Sequence, residues 1–132
     1  MPPPSTRKKG DAELPLRSAR ASTIEVIRDH LEFKRAKEFA FIERYFPSVA
    51  DRGSLEYADI EGMDERQADV LAYDMGKAVR YFRSRNQVQR AGIAQFSKED
   101  AESEPSPFSI KARQYTVALR ELCNVYGLEC PV

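Results

Sequence analysis

The side chains of this sequence that could do chemistry are mainly basic, and some are segregated from the acidic residues. Five of them follow one another within about four helical turns with no acid between them: Lys77, Arg80, Arg83, Arg85 and Arg90. Such a set can bind phosphate groups, complement the dipole at the carboxyl end of a helix, or pair with an acidic neighbouring subunit. We favour a structural or intersubunit role, because the acids from Asp59 to Asp74 supply complementary charge nearby.

A second basic set lies in the amino-terminal part of the sequence. Its members are Arg7, Lys8, Lys9, Arg17 and Arg20 in a segment without apolar periodicity, and Arg28, Lys34, Arg35 and Lys37 on the helix that follows. Positive arms that lead into a helix commonly contact the nucleic-acid backbone. We therefore predict that this set binds DNA. A solubilising tail is the alternative, because acids such as Glu25 and Asp29 dilute the positive charge of the helix.

Motifs of ordinary enzymes and metal sites are absent from the sequence, which contains neither a Gly-rich phosphate loop nor an H-E-x-x-H or G-x-S-x-G pattern. We interpret the single His30 as a solvated side chain on a helix. Cys123 and Cys130 have neither redox-motif nor zinc-pair spacing, so we interpret them as reduced thiols. The acids from Asp59 to Asp74 are typical of dipole compensation and a solvated face. We expect no catalytic residue, no metal and no cofactor.

Charge and hydropathy limit the classes of protein that remain. The 132 residues contain 21 Lys and Arg against 21 Asp and Glu, so nucleic-acid contact must come from local segregation of charge. No apolar run approaches the eighteen residues or so of a membrane span, and no apolar leader follows Met1. We expect a cytoplasmic protein of one domain without a membrane partner.

Helical signals dominate the first half of the folded part. Ser22 to Glu25 has capping-box spacing, which predicts that a helix begins there. This amino-terminal segment, over about 22–46, is either one bent helix or two short ones and ends before Pro47. Its apolar stripes are Ile24, Ile27 and Leu31, then Phe39, Ile42, Tyr45 and Phe46. Residues 1–21 are predicted to be a disordered basic arm.

Two longer helices are predicted in the second half. Asp64 is the expected N-cap of a helix over about 64–91, which Gly92 ends in a Schellman motif. Ser106 and Pro107 open a helix over 107–126 that ends at Gly127. We predict an all-α fold in which residues 22–132 form one domain, with the two long helices arranged as a hairpin.

Apolar residues of the last helix form a seam with steps of three and four: Phe108, Ala112, Tyr115, Leu119, Leu122 and Tyr126. The seam can pack within the subunit or against further copies of the chain. We predict that Phe82, Leu119 and Leu122 are buried. We also predict an oligomer interface that contains Lys77, Arg80, Arg83, Tyr115, Leu119 and Leu122.

The order of helix ends in the second half is a pattern of its own. The pattern begins with an acidic entry at Asp64 and a long helix that contains Tyr73 and basic residues. It continues with Gly92-Ile93, Ser106-Pro107 and a Gly-Leu-x-x-Pro ending at 127–131. In this layout the chain resembles the small terminase subunits of tailed double-stranded DNA phages. The resemblance implies a non-enzymatic DNA-packaging factor in the host cytoplasm. Such a factor forms a ring, recognises genomic double-stranded DNA and presents it to the large terminase subunit, an ATPase and nuclease.

Two other classes of protein fit the same residues. One is a cytosolic helical DNA-binding transcriptional regulator that uses the same arm and first helix. The other is a helical adaptor or inhibitor that binds a protein and no nucleic acid. Oligomer size separates the ring from the regulator, and salt-dependent DNA binding separates both from the adaptor.

Overall fold

The computed structural model describes residues 14–94 and 106–132, and its regular structure in these ranges is entirely helical. The predicted all-α class is confirmed. The helices are α1 (Ala21–Lys37), α2 (Phe39–Tyr45), α3 (Pro47–Arg52), α4 (Tyr57–Glu61), α5 (Glu65–Ala94) and α6 (Pro107–Tyr126). Most of the predicted arm, and residues 95–105 between the two long helices, lie outside the described residues.

The core lies where α6 packs along α5 and α1 packs on α6. Leu71 and Met75 of α5 and Leu119 and Leu122 of α6 are fully buried there. The seam of α6 therefore packs within the subunit, so the prediction that Tyr115, Leu119 and Leu122 contact a second copy is wrong. Burial is confirmed for Leu119 and Leu122, whereas Phe82 is only partly buried because it packs at the edge of the core.

The amino terminus of α1 is held by another helix rather than by the predicted capping box. The helix begins at Ala21, and its N-cap Arg20 makes no side-chain capping bond. Instead, a carboxylate oxygen of Glu121 on α6 accepts a hydrogen bond from the Thr23 hydroxyl at 2.6 Å and one from the Arg20 N–H at 3.3 Å. Glu121 therefore takes the place of the predicted capping box between Ser22 and Glu25.

The folded part begins earlier than residue 22. Leu16 is completely buried, and its N–H donates to the Glu61 carbonyl at 3.0 Å. Residues 14–20 therefore belong to the folded domain, and the predicted boundary of the arm at residue 21 is wrong. Burial of the Leu16 side chain is favourable enough to hold this segment on the domain, although most of the neighbouring residues are polar.

Short helices connect α1 to α5. Glu38 and Phe46 have non-helical backbone angles, so the predicted amino-terminal segment is divided into separate helices. The segment ends before Pro47, as predicted, because α2 ends at Tyr45. Pro47 then opens α3, where its missing N–H is harmless. In α2 the buried aromatic residue is Phe41, whereas Phe39 of the predicted stripe is exposed.

Local signals place most ends of the long helices correctly. Asp64 and Gln67 exchange side-chain bonds to each other's backbone N–H, a capping box at the start of α5. Ser106 accepts from the Ser109 N–H, and Gly127 ends α6 with φ of 68°. Gly92 does not end α5, which continues through it to Ala94. A Schellman ending requires a positive φ, which Gly92 lacks.

The segment after α6 folds back onto α5. The Leu128 N–H donates to the Cys123 carbonyl, and Pro131 then crosses α5 at Gly76. A methyl group at Gly76 would lie 2.9 Å from the Pro131 Cγ, closer than two carbons can approach without displacement. Gly76 therefore permits the return of the chain.

This close approach gives a matched pair of glycine variants. Gly92→Ala adds a methyl group with nothing within 4 Å, so we expect it to raise the free energy of unfolding by about 0.5–1 kcal/mol. Gly76→Ala has the same helical advantage but displaces Pro131, so we expect it to lower that free energy instead. Urea denaturation of both variants measures the difference. Equal stabilisation by the two substitutions would contradict the Pro131 contact.

Candidate functional site

A buried polar cluster joins α1, α5 and α6. His30 and Lys34 of α1, which are 3% and 7% exposed, both reach Asp74 of α5. The His30 Nε2 lies 2.6 Å from one Asp74 oxygen, and the Lys34 Nζ lies 3.1 Å from the other. The His30 Nδ1 is 2.8 Å from the hydroxyl of Tyr115 on α6. Because a carboxylate only accepts, the His30 Nε2–H is the donor to Asp74.

The electrostatics of this cluster favour the ionised forms of Asp74 and Lys34. Burial acts to raise the pKa of Asp74, but the hydrogen bonds and charges of His30 and Lys34 outweigh it, and the pKa lies below its ordinary value. Burial likewise acts to lower the pKa of Lys34, and its bonds to Glu38 and Asp74 raise it above the ordinary value instead. The carboxylate and the ammonium therefore stay ionised together.

The order carboxylate, imidazole, hydroxyl is the order of a nucleophilic triad, but its hydroxyl is unsuited to that chemistry. Burial raises the pKa of Tyr115 to about 12, so the phenol remains protonated at neutral pH. Its side chain also packs edge-on to His30 and to Phe82, at ring separations of 5.3 Å. The geometry thus makes the cluster a link between three helices, and the interpretation of His30 as a solvated side chain is wrong.

A second feature, which we call the arginine groove, lies between α5 and α6. Its volume is about 420 Å³, and its lining is Arg83, Asn86 and Gln87 of α5 with Ser109, Ala112, Arg113, Thr116, Val117 and Arg120 of α6. No carboxylate is among these groups. An anion in the groove would therefore meet guanidinium groups and neutral side chains, and no negative charge.

Helical periodicity explains why α6 presents this lining. Ser109, Arg113, Thr116 and Arg120 recur at steps of four, three and four, on a face next to the buried seam. Arg113 and Arg120 are exposed, and within the described ranges neither makes an ion pair. Across the groove, a guanidinium N–H of Arg83 donates to the Thr116 hydroxyl at 3.4 Å.

The predicted DNA-binding set is only partly available for phosphate contact. Lys34 is buried in the polar cluster, so we withdraw it from the set. Arg20 pairs with Glu121, Arg28 bonds to the Tyr57 hydroxyl and Asp29, and Arg35 pairs with Glu32. Arg17 and Lys37 are exposed, whereas Arg7, Lys8 and Lys9 lie outside the described residues. Most of the basic residues of the set that lie on α1 thus have a carboxylate partner, which reduces their positive charge toward DNA.

The basic members of the predicted oligomer interface are exposed on α5. The Lys77 Nζ lies 5.7 Å from the centre of the Tyr73 ring, and a guanidinium nitrogen of Arg80 lies 3.5 Å from the Pro131 carbonyl oxygen. Arg83 faces the arginine groove. Of these three residues, Arg83 lines the groove with Arg113 and Arg120 of α6, whereas Lys77 and Arg80 do not.

Sequence interpretation missed the two features for different reasons. Arg113 and Arg120 are seven residues apart on a predicted helix, a spacing that places both on one face and could have signalled the groove. His30 lies three residues after Ile27 and one before Leu31, so it borders the buried stripe. Nothing local indicated that Asp74, in a predicted solvated set, would be its partner.

Comparisons with known proteins were made at three levels: protein families, curated sequences and solved structures. No protein-family model, curated protein or solved structure matches the chain. Within residues 14–94 and 106–132, no helix combines the length and the apolar character that crossing a bilayer requires.

Proposed function

We propose that this protein is a DNA-binding factor that contacts the phosphate backbone of double-stranded DNA through the arginine groove. The observation that carries the proposal is the lining of the groove, which contains three arginines and no carboxylate. Guanidinium groups match phosphate geometry by forming two parallel hydrogen bonds. Neutral side chains such as Asn86 and Ser109 are typical of groups that position a nucleic-acid backbone.

The spacing along α6 supports the same function. Arg113 and Arg120 are separated by seven residues, which is about 10 Å along the helix axis. One strand of duplex DNA carries a phosphate about every 3.4 Å along its axis. The distance between the two arginines therefore corresponds to about three phosphate-to-phosphate steps of one strand, and Arg83 adds a third cation from the facing helix.

The finer proposal is that this binding serves genome packaging, as in a small terminase subunit that presents DNA to a large ATPase and nuclease subunit. Its support is the resemblance in layout together with the roles of the matched residues. Asp64 caps α5, Ser106 caps α6, and the chain after Gly127 returns to α5 at Pro131. These positions define the hairpin that carries the groove.

The groove is tested with a pair of arginine variants. We expect Arg113→Ala with Arg120→Ala to weaken binding to duplex DNA about tenfold or more and to reduce the log–log salt slope by about 2, because two phosphate contacts are lost. Binding is measured by fluorescence anisotropy across a salt series.

The control is Arg44→Ala with Arg66→Ala, which removes the same charge. Both of these arginines lie over the Tyr45 ring, and Arg66 is seventeen residues from Arg83 along α5, or about 25 Å. Equal losses in the two pairs would mean that only net charge matters. Unchanged binding in the groove variant would refute the groove as the contact.

Further measurements test the finer proposal. A deletion of residues 1–13 removes Arg7, Lys8 and Lys9 and spares the buried Leu16, so it tests the arm without opening the core. The molar mass in solution then separates the classes. A ring of many subunits that binds DNA supports the packaging factor, a DNA-binding dimer supports a helical regulator, and a chain without salt-dependent DNA binding supports an adaptor.

A further inference from the structure

A cavity of about 630 Å³ opens between α1, α5 and α6, on one side of the polar cluster. It exists because α1 packs closely on α6 and is joined to α5 through the long side chains of His30 and Lys34. The volume is within the range of about 300–1,000 Å³ that small-molecule sites occupy. The polar cluster closes one side of the cavity.

Aromatic side chains form much of its wall. Phe33 of α1 and Tyr81 of α5 are each 57% exposed, a large fraction for rings of this size. Phe82 lies behind them, with its ring centre 5.6 Å from that of Tyr81 and 5.3 Å from that of Tyr115. A planar ring in this cavity would remove apolar area of Phe33 and Tyr81 from water and could pack against the ring edges.

The charges around the cavity favour an anion. Two acids lie in the wall: Asp74 is held by His30 and Lys34, and Asp29, which is exposed, lies 3.4 Å from Arg28. Lys77 and Lys111 also line it, from α5 and α6. Neither lysine makes an ion pair within the described ranges. The charge left without a counterion in the wall is therefore positive.

We propose that this cavity binds a small planar aromatic anion, with its ring between Phe33 and the Tyr81–Phe82 pair and its acidic group at Lys77 and Lys111. The site is separate from the arginine groove, which lies on other faces of α5 and α6 and shares no residue with it. The acidic group can be a carboxylate, a sulfonate or a phosphate, since two ammonium groups bind all three through charge.

Two fluorescent probes of similar shape separate the roles of ring and charge. 1-Anilinonaphthalene-8-sulfonate is an aromatic anion with a planar naphthalene ring, and N-phenyl-1-naphthylamine is its uncharged counterpart. We expect the sulfonate to bind the folded full-length chain with one site per chain. Lys77→Ala with Lys111→Ala should weaken the sulfonate at least tenfold and leave the uncharged probe unchanged. Phe33→Ala should weaken both probes, because it removes an aromatic wall.

Control variants locate the binding. Lys37→Ala with Arg44→Ala removes two exposed charges outside the cavity, and Arg113→Ala with Arg120→Ala removes two of the three arginines of the arginine groove. Both should leave sulfonate binding unchanged, with near-ultraviolet circular dichroism as the check that each variant is folded. Equal sulfonate affinity in the Lys77 and Lys111 variant and in the Lys37 and Arg44 variant would overturn the proposal. Several sites per chain, or loss of binding in the groove variant, would also overturn it.

Discussion

Asp74→Ala is expected to lower the free energy of unfolding by about 3–5 kcal/mol, the usual cost of removing one partner of a buried ion pair. The substitution leaves the Lys34 ammonium with Glu38 as its remaining carboxylate and leaves the His30 Nε2–H without an acceptor. Lys34 is only 7% exposed, so water cannot readily replace the lost carboxylate. Urea denaturation at neutral pH measures the loss.

The matched control is Asp69→Ala, an exposed acid of the same helix. Its free energy of unfolding should change by no more than about 0.5 kcal/mol, as is usual at surface positions. Asp74→Asn should fall between the two, because the amide oxygen can still accept from His30 but carries no charge for Lys34. Equal effects of Asp69→Ala and Asp74→Ala would contradict a buried ionic link.

The pH dependence of the Asp74 effect has a definite sign. The pKa of Asp74 is lower in the folded chain than its ordinary value of 3.8. A lowered pKa stabilises the fold above the unfolded-state pKa, and this contribution is lost as the pH falls through the folded-state pKa. The difference in unfolding free energy between wild type and Asp74→Ala should therefore be full near pH 6 and shrink below about pH 4. A difference that grows in acid would contradict this assignment.

Leu119→Ala is the second substitution with a large expected effect. Leu119 has no exposed surface and lies in the centre of the α6 seam. Truncation removes buried apolar area and leaves a cavity between packed helices, which costs about 2–5 kcal/mol. The loss should appear in urea denaturation as a lower midpoint with an unchanged slope.

Val117 provides the comparison on the same helix. It is 38% exposed and lines the arginine groove, so Val117→Ala removes less buried area and leaves no enclosed cavity. We expect its loss of unfolding free energy to be below about 1 kcal/mol. A loss of less than half a kcal/mol for Leu119→Ala would mean that the seam faces water.

The sequence by itself determined the helical class, most ends of the long helices and the buried seam. Asp64, Ser106 and Gly127 act on backbone groups within a few residues, so the local sequence contains both partners of each bond. The burial of Leu119 and Leu122 follows from their recurrence on one face of a helix. These signals need no knowledge of what the face packs against.

Only the tertiary structure decided which distant residues meet. His30 and Asp74 are 44 residues apart, His30 and Tyr115 are 85 apart, and the Glu121 that caps α1 is 98 residues from Thr23. Helical periodicity determines which side chains share a face, but it does not determine which helix covers that face. The polar cluster and the cavity beside it depend on how α1 packs against the α5–α6 hairpin. The arginine groove likewise depends on the rotation of α6 about its axis, which the fit of its buried seam against α5 and α1 sets.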